Sequence, residues 1–323
     1  MDKKEGSNFK KVFHKIKPIL SLIIIISIFT FFGFRLYSSW HQIKTYEFNY
    51  FYAILSIIGT LISTLYLGIL YYAVLNSLKQ KVPMIKVVKA HNLSDFASYV
   101  PGKVWNLMVR IKILHKYIDK STIITSSILE IFLMLLLSAI VLFLGLMSNL
   151  TLLKSYIWFL LPCIAGLLII IHPKIMNLLL KIISSIIRKE IPKIKLGFKD
   201  LLKLSFITSL YWLINGISLF FSLKTIYPLT PWSLIPKTIA ANAGAWSFGF
   251  LSTLTPSGIG IREGITSYIL SSSVPNYIAI ASTILFRVFS MITLFLVIMI
   301  IGFKAYRKHK FKKLKRILIG NKQ

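Results

Sequence analysis

The residues of this chain that could do chemistry concentrate in one short stretch, LTPSGIGIREG at 254–264. It places a proline, three glycines and an Arg–Glu pair inside a region that is otherwise apolar and almost uncharged. A helix broken there exposes free N–H groups and the positive end of a helix dipole, which together favour an anion. Ser257 and the amides of Gly258 and Gly260 are predicted to hold the oxygens of a phosphate. Arg262 adds a planar fork suited to the same group.

The break is assigned to Pro256, and further charged residues could belong to the same site. Glu263 could pair with Arg262, pair with Arg287 on the last predicted helix, or carry a proton. The alternative is that Arg262 and Glu263 only satisfy each other and fix helix packing. Glu130 lies alone in an apolar segment, where a polar packing contact competes with a role as a proton carrier or orienting group.

A second broken segment, HNLSDFASYVPGKVWNLMVRIKIL at 91–114, is too polar for an ordinary membrane span. Pro101 and Gly102 interrupt it, and such a break at membrane depth is tolerated only beside protein or a watery cavity. Lys103 and Arg110 would add positive charge for the same phosphate. The segment is predicted to be a re-entrant hairpin, with an amphipathic helix on the inner membrane surface as the alternative.

The composition places these two segments in a membrane protein. The chain is 56% hydrophobic, has a mean hydropathy of +0.74, and contains apolar runs near the length that crosses a hydrocarbon core. The net charge of +30 would suggest nucleic acid in a soluble protein, but here Lys and Arg concentrate in loops and tails, as the positive-inside rule describes. The single cysteine, Cys163, excludes a disulfide framework, and the six histidines have no metal-ligand spacing. No metal, cofactor or nucleic-acid partner is predicted.

The apolar runs and the basic loops predict the fold class and the topology. The chain is predicted to be an all-α polytopic integral membrane protein with about six full transmembrane helices and two opposed re-entrant helical hairpins. The predicted spans cover about 18–36, 50–76, 121–147, 154–172, 200–223 and 276–303. Basic tails at 1–17 and 304–323 place both termini in the cytoplasm. Both flanks of 91–114 are then cytoplasmic, whereas residues 233–272 must begin and end outside.

This alternation predicts a single transmembrane domain at 18–303, built from half-repeats of opposite orientation at about 18–147 and 154–303. Each half would contain two helices, a hairpin and a third helix. Inverted repeats whose broken helices meet near the midplane are the architecture of many transporters. The predicted location is the cytoplasmic (inner) membrane, in a multi-pass arrangement.

Two motifs resemble the signatures of a known family. YVPGKVW at 99–105, followed by a basic segment, and TPSGIGIREG at 255–264 are similar to those of the lysylphosphatidylglycerol synthase transmembrane region, also described as the flippase-like domain family. The family includes the membrane half of multiple-peptide-resistance factors and many stand-alone proteins near polysaccharide or glycolipid biosynthesis. Its members typically have Pro–Gly–Gly where this chain has Pro256–Ser257–Gly258. The resemblance implies an inner-membrane protein that flips or handles anionic lipids.

The motifs and the resemblance together predict translocation or handling of an anionic lipid, such as a phospholipid or a polyprenyl-phosphate-linked sugar. The soluble domain that makes the aminoacylated lipid in full-length enzymes of the family has no counterpart in this sequence, so lysyl transfer is not expected. The expected partners are that lipid and biosynthetic glycosyltransferases, and an oligomer is left open.

Two alternatives belong to other functional classes. An integral-membrane lipid-linked glycosyl or phosphoryl transferase would need paired carboxylates or a metal-binding Asp motif. The chain has nine acidic residues and no Asp-x-Asp, so an enzyme is the weaker prediction. The other alternative is a non-transporting scaffold of a glycolipid or polysaccharide biosynthesis complex, which would tolerate neutral residues at both breaks.

Overall fold

The computed structural model describes residues 47–99, 104–147, 196–252 and 255–320, with the backbone alone for 304–320, together with isolated positions elsewhere. Every regular element in these ranges is helical, and they contain no strand. The α-helices in these ranges are α1 (Tyr50–Ser77), α2 (Met84–Ala97), α3 (Val104–Leu114), α4 (Lys120–Leu146), α5 (Phe198–Ile226), α6 (Ile235–Leu251), α7 (Ile261–Leu270) and α8 (Asn276–Gly320). Short 3-10 turns at Trp232–Leu234 and Pro256–Gly258 precede α6 and α7.

Four of these helices, α1, α4, α5 and the Asn276–Phe303 part of α8, are long and apolar enough to cross a membrane. Their bounds lie within three residues of the predicted spans. The all-α membrane class is therefore confirmed. Helix α8 continues without interruption to Gly320, past the predicted end of its span near 303. The tail at 1–17 and the predicted spans at 18–36 and 154–172 fall outside the described ranges, so the total of about six stays a prediction.

Two pairs of shorter helices occupy the segments with the Pro and Gly breaks. Helices α2 and α3, here called the first hairpin, have 14 and 11 residues. Helices α6 and α7, the second hairpin, have 17 and 10. All four are shorter than the ~20 residues that cross a hydrocarbon core, and the two helices of each pair pack against each other. The first hairpin begins at Met84, directly after Pro83, which is earlier than the predicted start near 91.

Small residues bring the long helices into close contact. Gly59 of α1 lies against α5, where an added Cβ would approach Ser218 Oγ to 2.2 Å. One turn earlier, the Ser56 hydroxyl donates to the main-chain oxygen of Ser218 at 2.8 Å. Packing of helix backbones through small residues and interhelical hydrogen bonds is typical within membranes, where apolar contact alone gives little advantage over lipid.

The hairpins are held by equivalent sets of helices. The first hairpin packs on α1, which precedes it, and on α4 and α8; the second packs on α5, which precedes it, and on the same two helices. The two preceding helices, α1 and α5, pack extensively on each other. That the two halves of the chain are inverted repeats, and that the hairpins are re-entrant, stays a prediction.

Candidate functional site

The two hairpins face a common cavity of about 430 Å³ in the middle of the helices. Its wall includes residues of both hairpins and of the long helices α1, α4, α5 and α8. The charged and titratable groups on the wall, apart from tyrosines, are His91, Asp95, Arg110, Glu130, Arg262, Glu263 and Arg287. The cavity thus brings together charged residues that are up to 196 positions apart in the sequence, from His91 to Arg287.

The break of the second hairpin has a backbone that favours glycine. Ser257, Gly258 and Gly260 have φ values of 52°, 70° and 86°, in the left-handed region that L side chains rarely adopt. Gly258 also lies against α6, since an added Cβ would be 2.7 Å from the Cα of Gly249. The turn is therefore fixed against α6, and α7 begins directly after it with its N-terminus at the cavity edge.

Glu263 occupies that N-terminus. One carboxylate oxygen, Oε2, accepts the N–H of Gly260 at 2.5 Å, and the other, Oε1, lies 3.3 Å from Arg287 Nε. Of the partners that the sequence left open for Glu263, the structure selects Arg287 on α8, and no ion pair forms between Glu263 and its neighbour Arg262. Glu263 is 6% exposed, so this carboxylate is a buried anion held by a helix end and a guanidinium.

Arg287 connects the last long helix to the second break and to the first hairpin. Its Nη2 donates to the main-chain oxygen and to the hydroxyl of Ser257, both at 3.3 Å. Its guanidinium also lies 5.5 Å from the ring centroid of Tyr99, at the end of the first hairpin's leading helix. Arg287 therefore connects α8, the second break and the first hairpin across the cavity.

Arg262 is the least satisfied of the cavity arginines. Its Nε atom is buried and has no hydrogen-bond partner among the described residues. The guanidinium lies 5.9 Å from the ring of Trp246, which stacks on Phe250 at 5.3 Å. A cation over an aromatic face is stabilised without using its N–H donors. Arg262 is thus positioned by an aromatic surface, with the Nε–H still able to donate.

Arg110, in contrast, is surrounded by partners. Its Nη1 pairs with Glu130 Oε2 and lies 3.3 Å from the hydroxyl of Ser127, and its Nε donates to Ser94 Oγ at 3.0 Å. The guanidinium also lies 4.2 Å from the ring centroid of Tyr71. Arg110 and Glu130 are each 5% exposed. This pair joins the first hairpin to α4.

The carboxylate of Glu130 has a second partner in His91. His91 Nε2 and Glu130 Oε1 are 2.9 Å apart, and His91 Nδ1 lies 3.5 Å from Asp95 Oδ2. Glu130 is therefore not isolated, although it stands alone among apolar residues in the sequence. His91 and Asp95 are four residues apart on α2, a spacing that places both side chains on one helix face and could have indicated the pair.

Polar amides add a third group to the cavity wall. Asn215 of α5 donates to Ser63 Oγ of α1 at 2.8 Å, and Asn242 of α6 donates to Asn215 Oδ1 at 2.5 Å. This network was not predicted, because the three residues lie on different helices and only the packing of those helices brings them together. All three line the cavity and make this part of its wall polar.

Some of the predicted site residues line the cavity, and others lie outside the described residues. Described predicted residues on the cavity wall are Arg110, Glu130, Ser257, Gly258, Arg262, Glu263 and Arg287. Gly260 lies at the start of α7, and Pro256 is described by its backbone in the turn. Pro101, Gly102 and Lys103 lie outside the described residues. No group of three or more His, Cys, Asp or Glu in the described ranges is placed to hold a metal ion.

Comparison with known proteins adds one clear result. A search of curated proteins finds no match. The sequence profile of the family described as Lysylphosphatidylglycerol synthase TM region matches residues 18–298, a range that contains both hairpins and every cavity residue named above. The match and the four long apolar helices indicate a membrane protein with a lipid-related function. With most of its length matched, the chain belongs to the lysylphosphatidylglycerol synthase transmembrane-region family.

Proposed function

We propose that this chain moves the anionic headgroup of a membrane lipid from one leaflet to the other, with the headgroup phosphate bound at the break of the second hairpin. The observation that carries the proposal is Arg262. Its guanidinium faces a central cavity beside a glycine-rich helix N-terminus, and its buried Nε has no partner among the described residues. Such a donor next to a helix N-terminus suits a phosphate oxygen.

The charged side chains at this site are buried or half-buried, which argues for a functional role. Ionisable side chains inside a membrane protein cost several kcal/mol and usually mark a pathway or a site. Arg287 and Glu263 compensate each other, but Arg262 contacts an aromatic face and no carboxylate. A guanidinium in this position is most stable when an anion joins it.

The dimensions fit a headgroup and not a whole lipid. A volume of about 430 Å³ is at the small end of the range for ligand cavities, roughly 300–1,000 Å³. The outer faces of the long helices carry exposed apolar side chains, such as Phe51, Ile54 and Ile58 of α1. The acyl or prenyl chains would remain in the bilayer against these faces while the headgroup crosses through the polar cavity.

Alternating access to the cavity would complete the transfer. The two hairpins are separate packing units, and Arg287 of α8 contacts both of them, through Ser257 of the second and Tyr99 of the first. In the predicted topology, the first hairpin opens to the cytoplasmic side and the second to the outside, with both termini in the cytoplasm. Movement of one hairpin relative to the other would expose the bound phosphate to each leaflet in turn.

The test uses the full chain in proteoliposomes that contain fluorescently labelled phosphatidylglycerol. A reductant added outside reaches the label only in the outer leaflet. Transfer is measured as the fraction of the label that an external reductant can quench. Arg262→Ala should reduce transfer to the level of empty vesicles while the protein stays folded. Arg262→Lys should restore it poorly, because an ammonium cannot reproduce the fork of a guanidinium.

Lys203→Ala is the matched control, since it removes one positive charge from an exposed position on α5 that is not on the cavity wall. It should transfer lipid at the wild-type rate. Wild-type transfer by folded Arg262→Ala would place the site elsewhere. If wild-type protein transfers no lipid, the scaffold alternative gains support.

A further inference from the structure

We propose that Glu263 sets the charge that the cavity accepts, so that the site selects a phosphate with one negative charge, a phosphodiester, over a phosphate with two. This inference rests on the proposed function, because it names the class of headgroup that the same site takes. It begins from the position of the Glu263 carboxylate, which is buried beside the break.

The Glu263 carboxylate already occupies part of the position in which an anion would bind. Its two carboxylate oxygens meet the Gly260 N–H at 2.5 Å and Arg287 Nε at 3.3 Å. A helix N-terminus and a guanidinium are the two groups that a phosphate would also use. The carboxylate is therefore a resident negative charge that any incoming phosphate must lie beside.

The charges beside the second break leave one positive charge uncompensated. Arg262 of the second hairpin and Arg287 of α8 carry two positive charges, and Glu263 carries one negative charge. The other charged groups on the wall lie on the first hairpin and α4, where contacts link Asp95, His91, Glu130 and Arg110 in that order. The two carboxylates of that group outnumber its one guanidinium, so the guanidinium without a carboxylate partner is Arg262, beside the second break.

Unmatched polar atoms point to a ligand at the same place. Thr283 of α8 is 4% exposed, lines the cavity one turn before Arg287, and its hydroxyl has no partner among the described residues. Arg262 Nε is likewise buried and without a partner there. Buried polar atoms in folded proteins are nearly always hydrogen-bonded, so an unpartnered hydroxyl and an unpartnered N–H on two residues that line one cavity favour a bound oxygen.

One negative charge would neutralise this region and a second would not. In a site shielded from water, the interaction between charges a few ångströms apart is much stronger than in solution. A phosphodiester brings one negative charge and balances the surplus. A phosphomonoester carries close to two at pH 8, since its second pKa is about 6, and its extra charge would face the Glu263 carboxylate.

The experiment compares two lipids in proteoliposomes at pH 8: fluorescent phosphatidylglycerol, a phosphodiester, and fluorescent phosphatidic acid, a phosphomonoester. Wild-type protein should transfer phosphatidylglycerol faster. Glu263→Gln keeps an oxygen for the Gly260 N–H but raises the net charge by one. It should shift the ratio of the two rates about tenfold toward phosphatidic acid, a change that corresponds to about 1.4 kcal/mol. Glu263→Asp, which keeps the charge, should not move the ratio.

A second comparison keeps the inference testable with wild-type protein if Glu263→Gln folds poorly. Fluorescent phosphatidylmethanol is a phosphodiester that differs from phosphatidic acid by one methyl group and one negative charge. Wild-type protein should transfer phosphatidylmethanol at a rate close to that of phosphatidylglycerol and faster than phosphatidic acid, and equal rates for phosphatidylmethanol and phosphatidic acid would contradict the inference. A ratio that is unchanged in folded Glu263→Gln, while transfer continues, overturns the inference and leaves the proposed function standing. Absence of transfer by wild-type protein overturns both.

Discussion

Each hairpin brings one arginine to the same cavity, but the two arginines have opposite surroundings. Arg110 of the first hairpin pairs with Glu130 and is hydrogen-bonded to Ser94 and Ser127. Arg262 of the second hairpin lies over Trp246, and its buried Nε has no partner among the described residues. Both positions are equally plausible phosphate ligands in the sequence, because each follows a segment broken by proline and glycine.

This comparison distinguishes Arg110, whose charge stabilises the packing of helices, from Arg262, whose charge is available to a ligand. A buried guanidinium that is already paired with a carboxylate gives little advantage to an incoming anion, which would have to displace that carboxylate. A buried guanidinium with an unused donor gains from one. The prediction that Arg110 binds the phosphate remains untested, but the geometry favours Arg262 for binding and Arg110 for joining the first hairpin to α4.

The largest effect is expected from Glu130→Ala. It would leave Arg110 buried without its counter-ion and would remove the partner of His91. Breaking one side of a buried ion pair typically destabilises a protein by about 3–5 kcal/mol. Thermal unfolding of the detergent-solubilised protein should show a large decrease, and Glu130→Gln, which keeps hydrogen-bonding atoms, should show a smaller one. Wild-type stability combined with loss of transfer would instead assign Glu130 the proton-carrier role.

A smaller loss of stability is expected at the second break from Gly258→Val. Its φ of 70° is unfavourable for a β-branched residue, and its Cβ would lie 2.7 Å from the Cα of Gly249. The left-handed backbone alone costs roughly 1–2 kcal/mol, and the contact with α6 adds to it. Thermal unfolding should show a loss of at least about 2 kcal/mol, together with loss of lipid transfer.

Gly264→Ala is the control for that variant within the same hairpin. Gly264 lies in the interior of α7, and an added Cβ there would meet no atom within 4 Å. Alanine favours a helix over glycine, so this change should be neutral or stabilising. Equal losses for Gly258→Val and Gly264→Ala would mean that α7 tolerates no change at all and that the turn has no special role.

An effect of intermediate size is expected in a test of whether the first hairpin faces the cavity as the second does. Asn106 lines the cavity, whereas Met108, two residues later, is 53% exposed and is not on the wall. In a Cys163→Ala background, Asn106→Cys should react with a small charged thiol reagent and resist quenching by a nitroxide in the membrane core. Met108→Cys should show the reverse. Reaction of both cysteines with the aqueous reagent would favour a helix on the membrane surface.

The sequence predicted the long helices well because each is encoded locally. An apolar run of about 20 residues specifies a membrane-length helix regardless of what packs on it, and the four described spans lie within three residues of their predicted bounds. Pro256 and the glycines likewise marked the second break, where the positive φ angles of Gly258 and Gly260 favour glycine. The earlier start of α2, after Pro83, was missed because its first residues resemble a basic loop.

Pairing of the charges could not be predicted, because it depends on contacts between distant segments. Arg110 and Glu130 belong to different helices, and only the packing of the first hairpin on α4 brings them together. The sequence left Glu263 with two arginine partners, and its choice of Arg287 follows from the packing of α7 on α8. Trp246, which supports Arg262, lies 16 residues earlier in α6 and carried no signal of its own.

The smallest effect is expected from Ser257→Gly, which tests how much the second break depends on its one non-glycine residue at positive φ. Glycine relieves the left-handed backbone of Ser257, at φ 52°, but it also gives the unfolded chain more freedom. These terms oppose each other, so the free energy of unfolding should change by less than about 1 kcal/mol. Arg287 would lose its contact with the hydroxyl but keep the one with the main-chain oxygen of residue 257. A single neutral hydrogen bond contributes about 0.5–1.5 kcal/mol, so lipid transfer should fall by less than about tenfold. A loss as complete as that expected for Arg262→Ala would show instead that the Ser257 hydroxyl binds the headgroup directly, and that the second break depends on this side chain as strongly as the first hairpin depends on the pair of Arg110 with Glu130.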